Sequence, residues 1–139
     1  MIEYFKDLSK KEVSKFRSFV NSPYFTTNKQ VIKLFNYLHS RYPDIKDSDL
    51  SKTVISEKLF PDKPYNDDYI RKLISDFTKI FESFLIHTEY ETETQQNNTM
   101  LIRSLRKRGI KKRFESILND TMKLQKKQTR EIKRFTEYM

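Results

Sequence analysis

Hydrophobic positions recur at helical spacing through most of the chain, and short polar or proline-bearing corners interrupt them. Val13, Phe16, Phe19 and Val20 form the first apolar face, and Val31, Leu34, Phe35, Leu38 and Tyr42 the second. Val54, Ile55, Leu59 and Phe60 make a short third face. Ile70, Leu73, Ile74, Phe77, Ile80, Phe81, Phe84 and Leu85 then make the strongest one, which marks a central helix. Met100, Leu101 and Leu105 make a brief face. Phe114, Ile117, Leu118 and Met122 begin a last one that runs on through Ile132, Phe135 and Met139 without a stop signal. The pattern predicts helices over residues 9–21, 28–42, 51–60, 66–89, 99–108 and 110–138, hence an all-α fold.

The ends of these segments carry local chemistry. Ser9 and Glu12 have the spacing of a reciprocal capping box, and Leu8 and Val13 that of a hydrophobic staple. Thr27 and Gln30 repeat the box pattern, Ser51 is the expected cap of the third helix, and Asn66 that of the fourth. Pro23 and Pro43 close the first two helices, because proline disfavours helical geometry in the residue before it. The stretches "NSPYFTTNKQV" and "LFPDKPYNDDYI" are therefore helix-to-helix corners. Tyr24 and Phe25 in the first are expected to fold back onto the core. Asp67 and Asp68 in the second place negative charge where the helix dipole favours it, and adjacent residues do not face one another as a catalytic carboxylate pair would.

Composition narrows the function classes. Of the 139 residues 36% are hydrophobic, yet 11 Phe and 8 Tyr allow a core built from few, large side chains. A single glycine, Gly109, leaves no material for a phosphate-cradling loop, and the absence of cysteine excludes disulfides and Cys-ligated zinc. His39 and His87 stand outside any spaced metal-binding or general-base cluster, so no cofactor or metal is expected and the chain reads as non-enzymatic. No apolar run approaches a membrane span and the opening "MIEYFKDLSKKE" has no signal-like core, which points to the cytoplasm.

Charge is unevenly spread. Residues 1–99 hold 15 basic and 15 acidic side chains, whereas 100–139 hold 13 basic against 4 acidic, so the net +9 lies wholly in the last segment. The organisation this suggests is a helical N-terminal domain over 1–90, a polar linker or solvated helix over 91–99, and a basic helical pair over 100–139, cut in mid-element or opening a helical array. Arg103, Arg106, Lys107, Arg108, Lys111, Lys112 and Arg113 crowd around Gly109 and are the candidate contacts for an acidic partner or for nucleic acid. Leu118, Met122, Ile132, Phe135 and Met139 are the candidate self-association strip, through which a homodimer would form.

Taken together, "LSKKEVSKFRSFVNSPYFTTN", "LFPDKPYNDDYIRKLISDFTKIFESFL" and "LIRSLRKRGIKKRFESIL" resemble the N-terminal region of a family of uncharacterised helical proteins from Bacteroidetes, over about Leu8 to Leu118. The resemblance implies a bacterial chain that continues as helix pairs, and it transfers no catalytic assignment. The segment 51–85 also looks like the helix-turn-helix core of bacterial winged-helix regulators. Against that, Asp67, Asp68, Asp76 and Glu82 offset Arg71, Lys72 and Lys79 on the would-be recognition helix, and no strand-like residues follow to make a wing. The leading functional expectation is a protein-interaction or scaffold module with a protein partner. The alternative is a nucleic-acid-binding protein that uses the basic segment or the winged-helix-like core, with weak, sequence-independent affinity.

Overall fold

The computed structural model describes residues 2–137, apart from the side chains of Gln95 and of 135–137. The fold is all-α. Among the described residues six α-helices follow one another as α1 (Lys10–Val20), α2 (Lys29–Arg41), α3 (Lys52–Leu59), α4 (Asp67–Thr92), α5 (Thr94–Lys107) and α6 (Lys111–Glu137). Two 3-10 turns, Ile2–Asp7 and Asp47–Leu50, precede α1 and α3; neither has the length to show in hydrophobic periodicity. The chain divides into two compact units, Met1–Ile86 and His87–Met139.

In the first unit the apolar faces of α1 to α4 share one core. Phe16, Phe35 and Phe77 are buried at its centre, together with Phe5 from the first 3-10 turn. Phe5 lies 5.8 Å from Phe35 and 6.4 Å from Phe77 between ring centroids, and Phe16 lies 5.3 Å from Phe35 and 5.8 Å from Phe77. Edge-to-face and tilted contacts of this kind suit the ring quadrupole and let few residues fill a large volume. The expected core positions Phe77, Phe81 and Phe84 are all buried, whereas Leu85, expected on the same face, is exposed.

The corners follow the expected chemistry at three of four helix starts. Ser9 Oγ accepts from the Glu12 N–H at 3.3 Å while the Ser9 N–H donates to Glu12 Oε2 at 2.8 Å, closing the box ahead of α1. Ser51 Oγ accepts from the Val54 N–H, and Asn66 Oδ1 from the Tyr69 N–H. At α2 the expected Thr27–Gln30 box does not form. Asn28 is the cap, accepting from the Gln30 N–H at 3.0 Å, and Thr26 Oγ1 accepts from the Asn28 N–H. Asn caps as well as Ser or Thr, and one residue's shift in register selects it. Gln30 Oε1 is left buried without a hydrogen-bond partner among the described residues.

The aromatic pair of the first corner stays in edge-to-face contact, centroids 5.2 Å apart, but only one ring reaches the core. Phe25 stacks on Phe19 with centroids 3.9 Å apart, but Tyr24, expected to fold inward, is 89% exposed. Adjacent residues in a tight turn point different ways, so the core accepts one of the two. Two other tyrosines tie elements together instead. The Tyr42 hydroxyl donates to the Leu8 carbonyl at 2.6 Å, and that of Tyr37 to the Asp49 carbonyl at 3.0 Å.

In the second unit the polar stretch 91–99 is largely helical. Apart from a break at Glu93, α4 runs to Thr92 and α5 starts at Thr94, five residues before the sequence expectation. Glutamate and glutamine are good helix formers, and a solvated helix without an apolar stripe is invisible to periodicity. The Asn97 N–H donates to the Glu93 carbonyl at 3.0 Å, and the Asn97 side chain to the Tyr90 carbonyl. α5 and α6 then pack together as a hairpin about Gly109.

Candidate functional site

The hairpin turn is built by a single backbone device. Gly109 has φ of +68°, the left-handed conformation that only glycine adopts without penalty. Its N–H donates to the Arg106 carbonyl and the Ile110 N–H to the Leu105 carbonyl, both at 3.1 Å, the paired bonds of a Schellman motif. The carbonyls at the end of α5 are thereby satisfied and the chain reverses into α6. The Arg108 guanidinium reaches back to the Ser104 carbonyl and hydroxyl.

The seven cations of this corner are all solvent-exposed. Arg106 and Lys107 sit in the last turn of α5, where the dipole favours positive charge. Lys111, Lys112 and Arg113 open α6, whose first turn has no acidic residue, so they sit where the dipole opposes them. Like charges thus meet the positive end of a helix, and the corner attracts anions. The structure brings all seven around one turn, but on helix faces that diverge after Gly109.

Along α6, Phe114, Ile117, Thr121, Leu124 and Ile132 fall within an arc of about 80° at 3.6 residues per turn, with Leu118 beside it. Ile117 and Thr121 are buried, as is Leu105 of α5, and the Thr121 hydroxyl donates back to the Ile117 carbonyl at 2.8 Å. Further on the face opens. Leu124 is 42% and Ile132 65% exposed. Of the candidate self-association strip, Leu118 is half-buried, Met122 and Ile132 are exposed, and the Phe135 side chain and Met139 lie outside the described residues.

The α3–α4 corner holds a feature the sequence pattern did not reveal. A cleft of about 300 Å³ opens between Phe60, Lys63, Tyr65, Tyr69 and Ile70. Lys33 donates to the Leu59 carbonyl at the end of α3, and its ammonium stands 4.9 Å from the Phe60 ring centroid. Beside the cleft, Asp67 does more than complement a dipole. It accepts from Lys52 Nζ at 2.5 Å and from the Tyr65 hydroxyl at 2.7 Å, with the Arg71 guanidinium 3.6 Å away. The bonds from Lys52 and Tyr65 hold its carboxyl below the ordinary aspartate range, and the same bond pushes the Tyr65 hydroxyl up. Asp68 is exposed and takes no part. Asp67 is thus a fully engaged structural anion that pins α3 to the start of α4.

Among the described residues no three acidic or histidine side chains gather to hold a metal ion, and no helix is long and apolar enough to cross a membrane. There is also no strand among them, and α4 continues as helix where the wing of a winged-helix core would begin. Comparison with protein-family models, with curated proteins and with solved structures returned no match.

Proposed function

We propose that this chain is a cytoplasmic, non-enzymatic helical interaction module that docks a protein helix along the exposed apolar positions of α6, with a second copy of itself as the first partner. One observation carries the reading: the apolar line of α6 outruns the helix that covers it. At 1.5 Å per residue α6 is about 40 Å long and α5 about 21 Å. Counted back from the turn, α5 reaches only as far as residue 124 or so. Beyond it Ile132 continues the line, 65% exposed. Burying such a face against another helix is the ordinary driving force of helix pairing. The resemblance to helical proteins that continue as helix pairs is of the same kind and brings no catalytic assignment against it.

Sedimentation velocity over a micromolar concentration series tests the reading, with Ile132→Glu as the variant. Association that grows with concentration and is lost in the variant, at an unchanged melting temperature, supports it. A monomer at every concentration, or association that survives the substitution, rejects it.

A further inference from the structure

The face of α6 opposite its apolar line carries a second feature that the protein-docking reading leaves unused. Lys123, Lys126, Lys127, Arg130, Lys133 and Arg134 fall within an arc of about 120° centred on the far side of the helix, over a rise of about 16 Å. All six are exposed. Among residues 123–134 Glu131 is the only acidic residue, and it lies outside that arc. The ridge is separate from the corner around Gly109, whose cations end at Arg113.

Like charges repel along the ridge, offset in part where Glu131 stands four residues after Lys127 and three before Arg134. Lys123 and Lys127, Lys126 and Arg130, and Arg130 and Arg134 are like charges four residues apart, an arrangement that destabilises an isolated helix. A polyanion laid along the ridge reverses the sign of that interaction. We propose that the ridge is a docking surface for duplex DNA, with α6 lying in the major groove and its cations on the phosphates of both strands.

The choice of ligand follows from shape and composition. Lys126 and Lys133 flank one side of the ridge and Lys127 and Arg134 the other, with Lys123 and Arg130 between, so the cations diverge toward two walls. A helix about 10–12 Å across fits the B-form major groove, about 12 Å wide, whereas the deep, narrow major groove of A-form RNA does not admit it. Single strands are bound mainly by stacking on aromatic rings, and residues 123–134 include no Phe, Tyr or Trp. An acidic helix docked on the apolar line would sit on the opposite face from most of these charges. Lysines dominate the ridge and no Asn or Gln lies on it, so contact is with phosphates and binding is independent of sequence.

The test is a titration of the full chain with two labelled duplexes of unrelated sequence at several salt concentrations. Its comparison proteins are the variant Lys126→Gln/Lys127→Gln/Arg130→Gln/Arg134→Gln and a corner variant, Arg106→Gln/Lys107→Gln/Lys112→Gln/Arg113→Gln. The expected result is equal affinity for both duplexes and at least a tenfold loss in the ridge variant. The log K against log salt slope of that variant becomes shallower by about 3.6, at about 0.9 per lost phosphate contact. Hydrogen exchange of the unaltered protein, which does not depend on any variant folding, should show amides of 123–134 slowed by duplex DNA. Tighter binding of single strands, duplex RNA or polyglutamate at equal charge overturns the proposal. So does a loss confined to the corner variant, or exchange over 123–134 that DNA leaves unchanged.

Discussion

The rings of Phe16 in α1 and Phe84 in α4 lie 4.9 Å apart between centroids, tilted by 31°. Phe16 also meets Phe5, Phe35, Phe77 and Phe81, so a single side chain joins the opening turn to three helices of the first unit. It is fully buried. Phe16→Ala should lower unfolding free energy by about 3–5 kcal/mol in a denaturant titration, and Phe77→Ala by a similar amount. Tyr24→Ala, at an exposed aromatic of the first corner, should stay within about 0.5 kcal/mol of the parent. Equal losses at Phe16 and Tyr24 would contradict this account of the core.

The caps discriminate between two superficially alike signals. Ser9→Ala removes the hydroxyl that accepts from the Glu12 N–H, leaving only the backbone half of the box ahead of α1, and should cost about 1 kcal/mol, within the usual range for caps. Thr27→Ala touches no cap, because Asn28 holds that position. It should be nearly silent in the same thermal melts, while Asn28→Ala should behave like Ser9→Ala.

Acid should unpin α3 from α4. The Asp67 carboxyl is held below its ordinary pKa by Lys52 and Tyr65, so the folded state binds its proton less readily than the unfolded one. The stabilisation is therefore complete above the ordinary aspartate pKa and is lost as pH falls through that value and the depressed folded one. Glu12, lowered by its bonds from Ser9, acts with the same sign. Melting temperature followed from neutral to strongly acidic pH should fall less steeply for Asp67→Asn than for the parent. Parallel curves would show that the cluster does not couple to folding.

Gly109 is required by its backbone and by nothing around it. A Cβ there would meet no atom within 4 Å, so substitution carries only the penalty of the left-handed conformation. Gly109→Ala should cost about 1 kcal/mol, and Gly109→Asn less, since Asn visits that region more readily. Faster amide exchange at the end of α5 in the Ala variant, with the Asn variant between, is the expected readout.

Much of this architecture was legible because the interactions that set it are local. A cap and the amide it bonds are three residues apart, a proline acts on its immediate neighbour, and an apolar face repeats every turn. Hence the four helices of the first unit, the Ser9 box, the caps at Ser51 and Asn66, and the buried phenylalanines of α4 could all be read directly from residue order. Periodicity sees only helices with an apolar side, so it missed the solvated start of α5 and the two 3-10 turns. The cations of the corner and their divergence after Gly109 were readable from residue order, whereas the bonds by which the turn closes, from Gly109 to Arg106 and from Ile110 to Leu105, needed the structure.

What tertiary structure alone decided are the pairings between residues far apart in the chain. Sequence set Tyr24 and Phe25 equal; the space beside Phe19 took Phe25 and left Tyr24 in water. Phe5 belongs to no helix the sequence predicts, and the 3-10 turn carries it among Phe16, Phe35 and Phe77. Asp67 read as a dipole complement, and only the packing of α3 against the start of α4 supplied Lys52 as its partner. Residue order specifies which side chains are apolar and where helices begin and end. Which of several equivalent groups is buried or paired depends on the shape left between helices, a property of their packing and of no single segment.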